Sequence, residues 1–387
     1  MEVDLSMVDI MDYQEISQCF NDIYDCRYPT FALGEVSDKN LHKLQQGHKK
    51  FIVFEGREVL HDDGKKNINT AVLDAVNKLL TYLPTDCELT FVFDITAGKQ
   101  LDAESFPANV KIELMPFWLV FTHCAHEHHE QASVDSYTDR TDKFLYMPGK
   151  VNKAHRIAVL QAMHRNKWFK KHIALWSTNF SSLPKSGKYV EQIQEVLKLW
   201  DSNQKFLTTI PDFSEFDNQL DYDLSKHVDH NHFHITGIPY DVEIYKSVGF
   251  DIVSETNFSG RDHEHLGVAW MTEKTYRPIY NTTPFIHICQ SANDTLKSLG
   301  FKTYENLYGI PEFSQPDSRK FFLEFTRAVK NMVSCIRQKD PDLANRAIHN
   351  KQHGIKLADH YVKKYDSIVE NFANFLVTQR AHPNCLH

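Results

Sequence analysis

"WMTEKTYRPIYNTTPFIHI", residues 270–288, sets an acid, two bases and a proline directly before an apolar run. Its first half opens like a helix. Thr272 can cap it, Glu273 follows in the first turn, where negative charge meets free backbone N–H groups, and Pro278 limits or kinks it. The second half, "PFIHIC" (284–289), reads as a strand buried in a sheet. Upstream, "GFDIVSETNF" (249–258) is a strand running into a loop. Downstream, "ANDTLKSLG" (292–300) is a short helix stopped by Gly300. Strand, helix, strand, helix is the alternation of an α/β layer fold.

The same alternation extends outward. "KFLYMPG" (143–149) predicts a strand and turn, "KAHRIAVLQAMHRNKW" (153–168) an amphipathic helix, "HIALWS" (172–177) a strand and "KYVEQIQEVLKLWDS" (188–202) a helix. Residues 203–240, rich in Asp, Asn and His, read as an irregular insertion. From 317 to 379 the pattern is helical, with breaks near Pro341 and Gly354. Toward the N-terminus, "KKFIVFEG" (49–56) and "CELTFVFDI" (87–95) are strands, "NINTAVLDAVNKLLTYLP" (67–84) is a helix, and "VKIELMPFWLVFTH" (110–123) holds one or two more strands. "HEHHEQASVDSYTDRTD" (126–142) is polar and aperiodic, which predicts an interdomain linker. Two domains follow: 1–135, and 136–387 with its helical tail.

Composition bounds what such a chain can do. At 387 residues it is long enough for two ordinary domains or one large one, at 42% hydrophobic it can bury a sizeable core, and its 26 Phe and 16 Tyr predict ring-rich packing. A net charge of −8 argues against a broad basic face for duplex DNA. Seven scattered Cys without a CxxC argue against a disulfide framework and suit a reducing compartment. No apolar run reaches the roughly 18 residues a membrane span needs, and the acidic start lacks a secretory core. A cytoplasmic protein is the expectation.

In a doubly wound sheet, ligands bind beyond the carboxyl ends of the strands. Glu255 stands at such an end, and Thr272, Glu273 and Lys274 open the next helix. A helix N-terminus attracts phosphate, and Lys274 and Arg277 would add full positive charge. Glu255 or Glu273 could accept hydrogen bonds from a ribose diol. Together these residues describe a nucleoside-diphosphate site; the plainer reading is a solvated helix start whose charges suit the dipole.

"FDIVSETNF…WMTEKTYRPIYNTTPFIHI…LKSLGFKTY" resembles the donor-binding half of the fucosyltransferase-like glycosyltransferases, and is similar in particular to those carried by bacteriophages. The resemblance extends to "KFLYMPGKVNKAHRIAVLQAM" and covers about residues 143–320, somewhat under half the chain. It implies two Rossmann-like domains facing across a cleft, the GT-B architecture. The nucleotide-diphosphate sugar would sit on the C-terminal domain, with no metal or other cofactor required. By carry-over, Arg156 would meet the diphosphate, Lys274 the phosphates, and Glu255 and Glu273 ribose or sugar hydroxyls. The acceptor would be a glycan, a protein or a modified base in phage DNA, and a phage protein would work in the host cytoplasm. The turn before "PFI" departs from the family: it is "YNTT" where small residues and glycine are usual, with Asn281 as the candidate substitute for glycine.

An inverting transfer needs a base for the acceptor proton, whereas a retaining one does not. Strand ends of the N-terminal half offer Glu55, Asp94 and His123, of which Asp94 and His123 follow strongly apolar segments. "HCAHEHHE" (123–130) and "HVDHNHFH" (227–234) carry ligands that suit zinc, but without HExxH or another closed spacing, so no metal residues are assigned. Trp168, Trp176, Trp200 and Trp270 are expected in core packing. Two rivals follow: a nucleotide- or sugar-binding relative without catalysis, and a His-rich metal-dependent hydrolase.

Overall fold

A computed structural model describes residues 50–55, 73, 76–77, 80–81, 88–95, 102–116, 118–120, 122–123, 137, 140–149, 154–168, 171–176, 242–255, 258, 271–316 and 319–364. The described chain is a mixed α/β structure with two small parallel sheets and a helical C-terminal region. It forms two compact units. Described residues up to 120, with 359–364, make the first, and those from 122 to 358 the second.

The first unit holds β1 (Lys50–Glu55), β2 (Glu88–Asp94) and β3 (Val110–Met115), paired in that order and all parallel. Residues 73, 76, 77 and 80 are helical, within the helix expected over 67–84. The stretch 110–123 gives only one strand. Pro116 follows β3, and residues 118–120 and 122–123 are helical, so His123 does not end a strand. Glu113 on β3 accepts from Lys364 at 2.6 Å and also pairs with Lys111.

The second unit is built on β4 (Phe144–Gly149), α1 (Ala154–Arg165), β5 (Ile173–Trp176), α2 (Val242–Ser247), β6 (Phe250–Val253), α3 (Glu273–Tyr280), β7 (Phe285–His287), α4 (Ala292–Ser298), α5 (Glu305–Tyr308), α6 (Arg319–Arg337) and α7 (Pro341–Lys364). The sheet order is β5-β4-β6-β7, all parallel. Phe144 to Met147, the whole of β6 and the whole of β7 are buried, as a parallel sheet covered on both faces requires. The register with β5 shifts between Tyr146 and Gly149, around Pro148, which has no N–H for the ladder. Residues 155–163 of α1 are all buried, so this helix is enclosed rather than amphipathic. The predicted ring packing is present: Phe144 stacks on His172 at 4.0 Å, and Phe321 on Phe325 at 6.0 Å.

The helix boundaries have local causes. Gly300, at φ 91°, closes α4: its N–H reaches the Lys297 carbonyl, and the Phe301 N–H reaches Leu296. Pro341 opens α7 in the first helical position, with Asp340 accepting from the Asp342 N–H at 2.9 Å. Gly354 lies buried inside α7 and does not break it. The expected helix at 188–202, the insertion 203–240, Trp200, Trp270 and the run 227–234 lie outside the described residues, as do 124–136. Tyr137 and 140–142, read from sequence as linker, dock onto the second unit. Thr141 Oγ1 donates to the Ser247 carbonyl at 2.6 Å, and Arg140 reaches the carbonyls of Tyr245, Val248 and Asn281. Among the described residues no helix is long and apolar enough to cross a membrane.

Candidate functional site

In the sheet order β5-β4-β6-β7, the connection leaving β4 runs toward one edge and the one leaving β6 toward the other. The crevice between their carboxyl ends is the topological switch point, where open α/β sheets take ligands. The start of α1 flanks it from the β4 side and Ser254–Glu255 from the β6 side.

Glu255 is fully buried and is the hub of this crevice. Its carbonyl accepts from Arg156 Nη2 at 2.9 Å and from His155 Nε2 at 2.8 Å, so both first-turn side chains of α1 are tied to the end of β6. Its carboxylate accepts from the Thr272 N–H at 2.9 Å, Thr272 Oγ1 at 2.6 Å and Thr275 Oγ1 at 2.5 Å. The chain's own carboxylate therefore stands where an anion would meet the N-terminus of α3. The carboxylate expected to meet a ribose or sugar hydroxyl thus holds three donors of the chain itself.

Thr272 caps α3 as its residue type predicts, its Oγ1 accepting from the Lys274 N–H at 3.4 Å. Lys274 Nζ donates to Thr272 Oγ1 at 3.1 Å and to Glu273 Oε1 at 2.7 Å. Burial alone would raise the Glu273 pKa. The charges of Lys274 and Arg277, with hydrogen bonds from Lys274 and Thr272, overcome that and hold it below its ordinary value. Glu273 is thus an anion, and the Lys274 ammonium, only 12% exposed, is the cation nearest the helix start.

Arg277 departs from expectation. It is 2% exposed and faces the interior, where its charge acts on Asp251. Burial pushes the Asp251 carboxyl up to about 7 despite Arg277 and a hydrogen bond from Tyr245 at 3.3 Å. The reason is position: on an eight-residue helix packed against β6, Arg277 lies a turn beyond the cap, on the face toward the sheet. His123 is also apart. Its ring centroid lies 6.0 Å from that of Tyr280, the last residue of α3, about 10 Å down the helix axis from Glu273. Asp94 ends β2 in the first unit and is 3% exposed. The side chain of Glu55 lies outside the described residues.

Sequence reading missed three partners. His155 was passed over beside Arg156. Thr275 and His287 complete a relay behind Glu255, with Thr275 Oγ1 3.0 Å from His287 Nε2. His287 Nδ1 accepts from the Cys289 N–H at 3.3 Å, so the ring proton belongs on Nε2, which donates to Thr275, whose hydroxyl in turn donates to Glu255. Burial lowers the His287 pKa to about 3 and keeps the ring neutral. The signal available was a histidine inside an otherwise apolar strand.

Within the second unit the structure therefore brings Arg156, Glu255, Thr272, Glu273 and Lys274 into one cluster; Arg277 acts on it through its charge on Glu273, and His123 lies apart from it. Among the described residues no three His, Cys, Asp or Glu side chains gather as a metal site would need, and the His-rich runs beyond 123 lie outside those residues. No protein-family model matches the chain, and no curated protein matches it at a significant level.

Proposed function

We propose that the protein is a glycosyltransferase of GT-B type that takes a nucleotide-diphosphate sugar as donor. One observation carries the reading: two cationic side chains from different elements, Arg156 and Lys274, are tied through Glu255 and Thr272 at the switch point of a parallel sheet. The resemblance of the 143–320 segment to fucosyltransferase-like enzymes supplies the chemistry.

In this reading the acceptor oxygen attacks the anomeric carbon, the bond from that carbon to the diphosphate oxygen breaks, and the nucleoside diphosphate departs. Lys274 and Arg156 stabilise the charge growing on that leaving group, where a water-poor site makes each cation more effective. To reach the phosphates Lys274 exchanges its Glu273 partner, and Glu273 turns to a sugar or ribose hydroxyl. Asp94 is the candidate base for the acceptor proton. The acceptor is a glycan, a protein or a modified DNA base.

Calorimetry with a panel of nucleoside diphosphates tests the donor site. One member binds the wild-type chain, and Lys274→Ala abolishes that binding while the chain still folds, with a lowered unfolding midpoint because the buried Glu273 carboxylate loses its partner. Equal affinity in the variant would overturn the assignment. Asp94→Asn should abolish transfer with donor affinity unchanged.

A second reading, a nucleotide-binding relative without transfer, has one observation in its favour: the Glu255 carboxylate is occupied by three internal hydrogen bonds. Binding of a nucleotide sugar without turnover against any acceptor class would select it.

A further inference from the structure

Away from the crevice, the C-terminal end of α1 and one face of α6 enclose an open groove of about 580 Å³. Four cationic side chains line it, Arg165 from α1 and Arg319, Arg327 and Lys330 from α6, and no carboxylate does. All four residues are exposed. They belong to a chain with 51 acidic and 43 basic residues, so overall composition does not account for the clustering. Arg327 and Lys330 stand one turn apart on α6, where like charges repel one another. Glu324, also on α6, turns instead to the Ser314 N–H at 2.8 Å and to Lys320, and does not line the groove.

The groove has tied walls and a set charge. Asn166 Nδ2 donates to Thr326 Oγ1 at 3.2 Å, joining α1 to α6. The Arg165 guanidinium lies 4.9 Å from the ring centroid of Phe322, which fixes that cation and covers the ring face.

We propose that this groove binds a compact polyanion, a small molecule carrying two or more phosphate groups. Its volume falls in the range of small-molecule sites, roughly 300–1,000 Å³. Arginine forks match phosphate oxygens two at a time. A long nucleic acid fits less well: the net charge of −8 repels it, and the covered Phe322 offers no face for a base to stack on. From Arg156 to Arg165 is about 14 Å along α1, so a ligand here does not compete with one at the switch point.

Titration calorimetry with inorganic triphosphate on the full chain is the test. The wild type binds, with affinity that falls as salt rises. Arg327→Ala/Lys330→Ala weakens binding by about tenfold or more, because two charge-assisted contacts are lost. Arg165→Gln, from the opposite wall, also weakens it. The substituted side chains are exposed, so unfolding midpoints stay near that of the wild type. Absence of triphosphate binding, or unchanged binding in both groove variants, would overturn the proposal. Tighter binding of a thymidine oligonucleotide that displaces triphosphate would overturn it in favour of nucleic acid.

Discussion

Glu255 holds three hydrogen bonds on its carboxylate and two on its carbonyl with no exposure to water, so each partner has a measurable weight. Thr275→Val keeps the shape and removes one donor from a buried carboxylate. We expect a loss of about 1–3 kcal/mol in urea unfolding, with Thr275→Ser close to wild type because it restores the hydroxyl. The relay also sets a pH response. His287 has a folded pKa near 3 against an ordinary 6.5, so on acidification the unfolded chain takes up a proton that the folded chain refuses. Its contribution is therefore full above about 6.5 and declines as pH falls toward 3. His172, lowered to about 4 by burial, acts in the same direction, and Asp251, raised to about 7, acts in the opposite one. His287→Gln should flatten the fall of the unfolding midpoint between pH 6.5 and 3.5 without abolishing it; an unchanged slope would mean that the ring is not held neutral. Glu255, Thr272 and Lys274 were legible because their spacing marks a strand end and a helix start. Thr275 and His287 were not, since a threonine one turn into a helix and a histidine in a strand carry no spacing signal of their own.

At the scale of elements, the strands were read closely because apolar runs bounded by Gly and Pro leave few alternatives. The failures share a cause: neighbours far away in sequence decided them. The polar pattern of α1 predicts a wet face, yet the helix packs against α6, the Tyr146 hydroxyl of β4 donates to its Arg156 carbonyl, and His155, Arg156 and Gln161 are buried. The turn 281–283 is a second case. The family resemblance makes Asn281 the candidate substitute for glycine, but the left-handed residue is Thr282, at φ 50°. A β-branched residue is strained there, and the turn persists because Arg140 donates to the Asn281 carbonyl at 3.1 Å and the Thr283 N–H reaches the Pro278 carbonyl at 2.8 Å. Arg140→Met would leave the Asn281, Val248 and Tyr245 carbonyls short of a donor. The expected loss is about 2–3 kcal/mol in chemical denaturation, against little change for an exposed control such as Arg327→Met. Gly249 is more constrained still. A Cβ there would collide with the Thr141 carbonyl oxygen and lie 2.8 Å from Ile336 Cδ1, so Gly249→Ala should lower the unfolding midpoint sharply.

For the whole molecule, the division into two units has a thermodynamic consequence. Each unit has its own sheet, β1-β2-β3 in the first and β5-β4-β6-β7 in the second, and single-transition unfolding is expected only where one cooperative core exists. Calorimetric melting should therefore resolve two transitions. Gly249→Ala lies in the second unit and identifies which of them belongs to that unit. The nucleoside diphosphate proposed to sit on Arg156 and Lys274 would bind only the folded second unit. At a hundred times its dissociation constant it adds about 2.7 kcal/mol to that unit and nothing to the other. The transition marked by Gly249→Ala should then move upward with ligand in the wild type and stay fixed in Lys274→Ala, while the remaining transition moves in neither. Movement of both transitions together would mean that the units unfold as one cooperative body. Movement of the other transition alone would put the nucleotide in the first unit, away from the switch point and from the chemistry assigned to it.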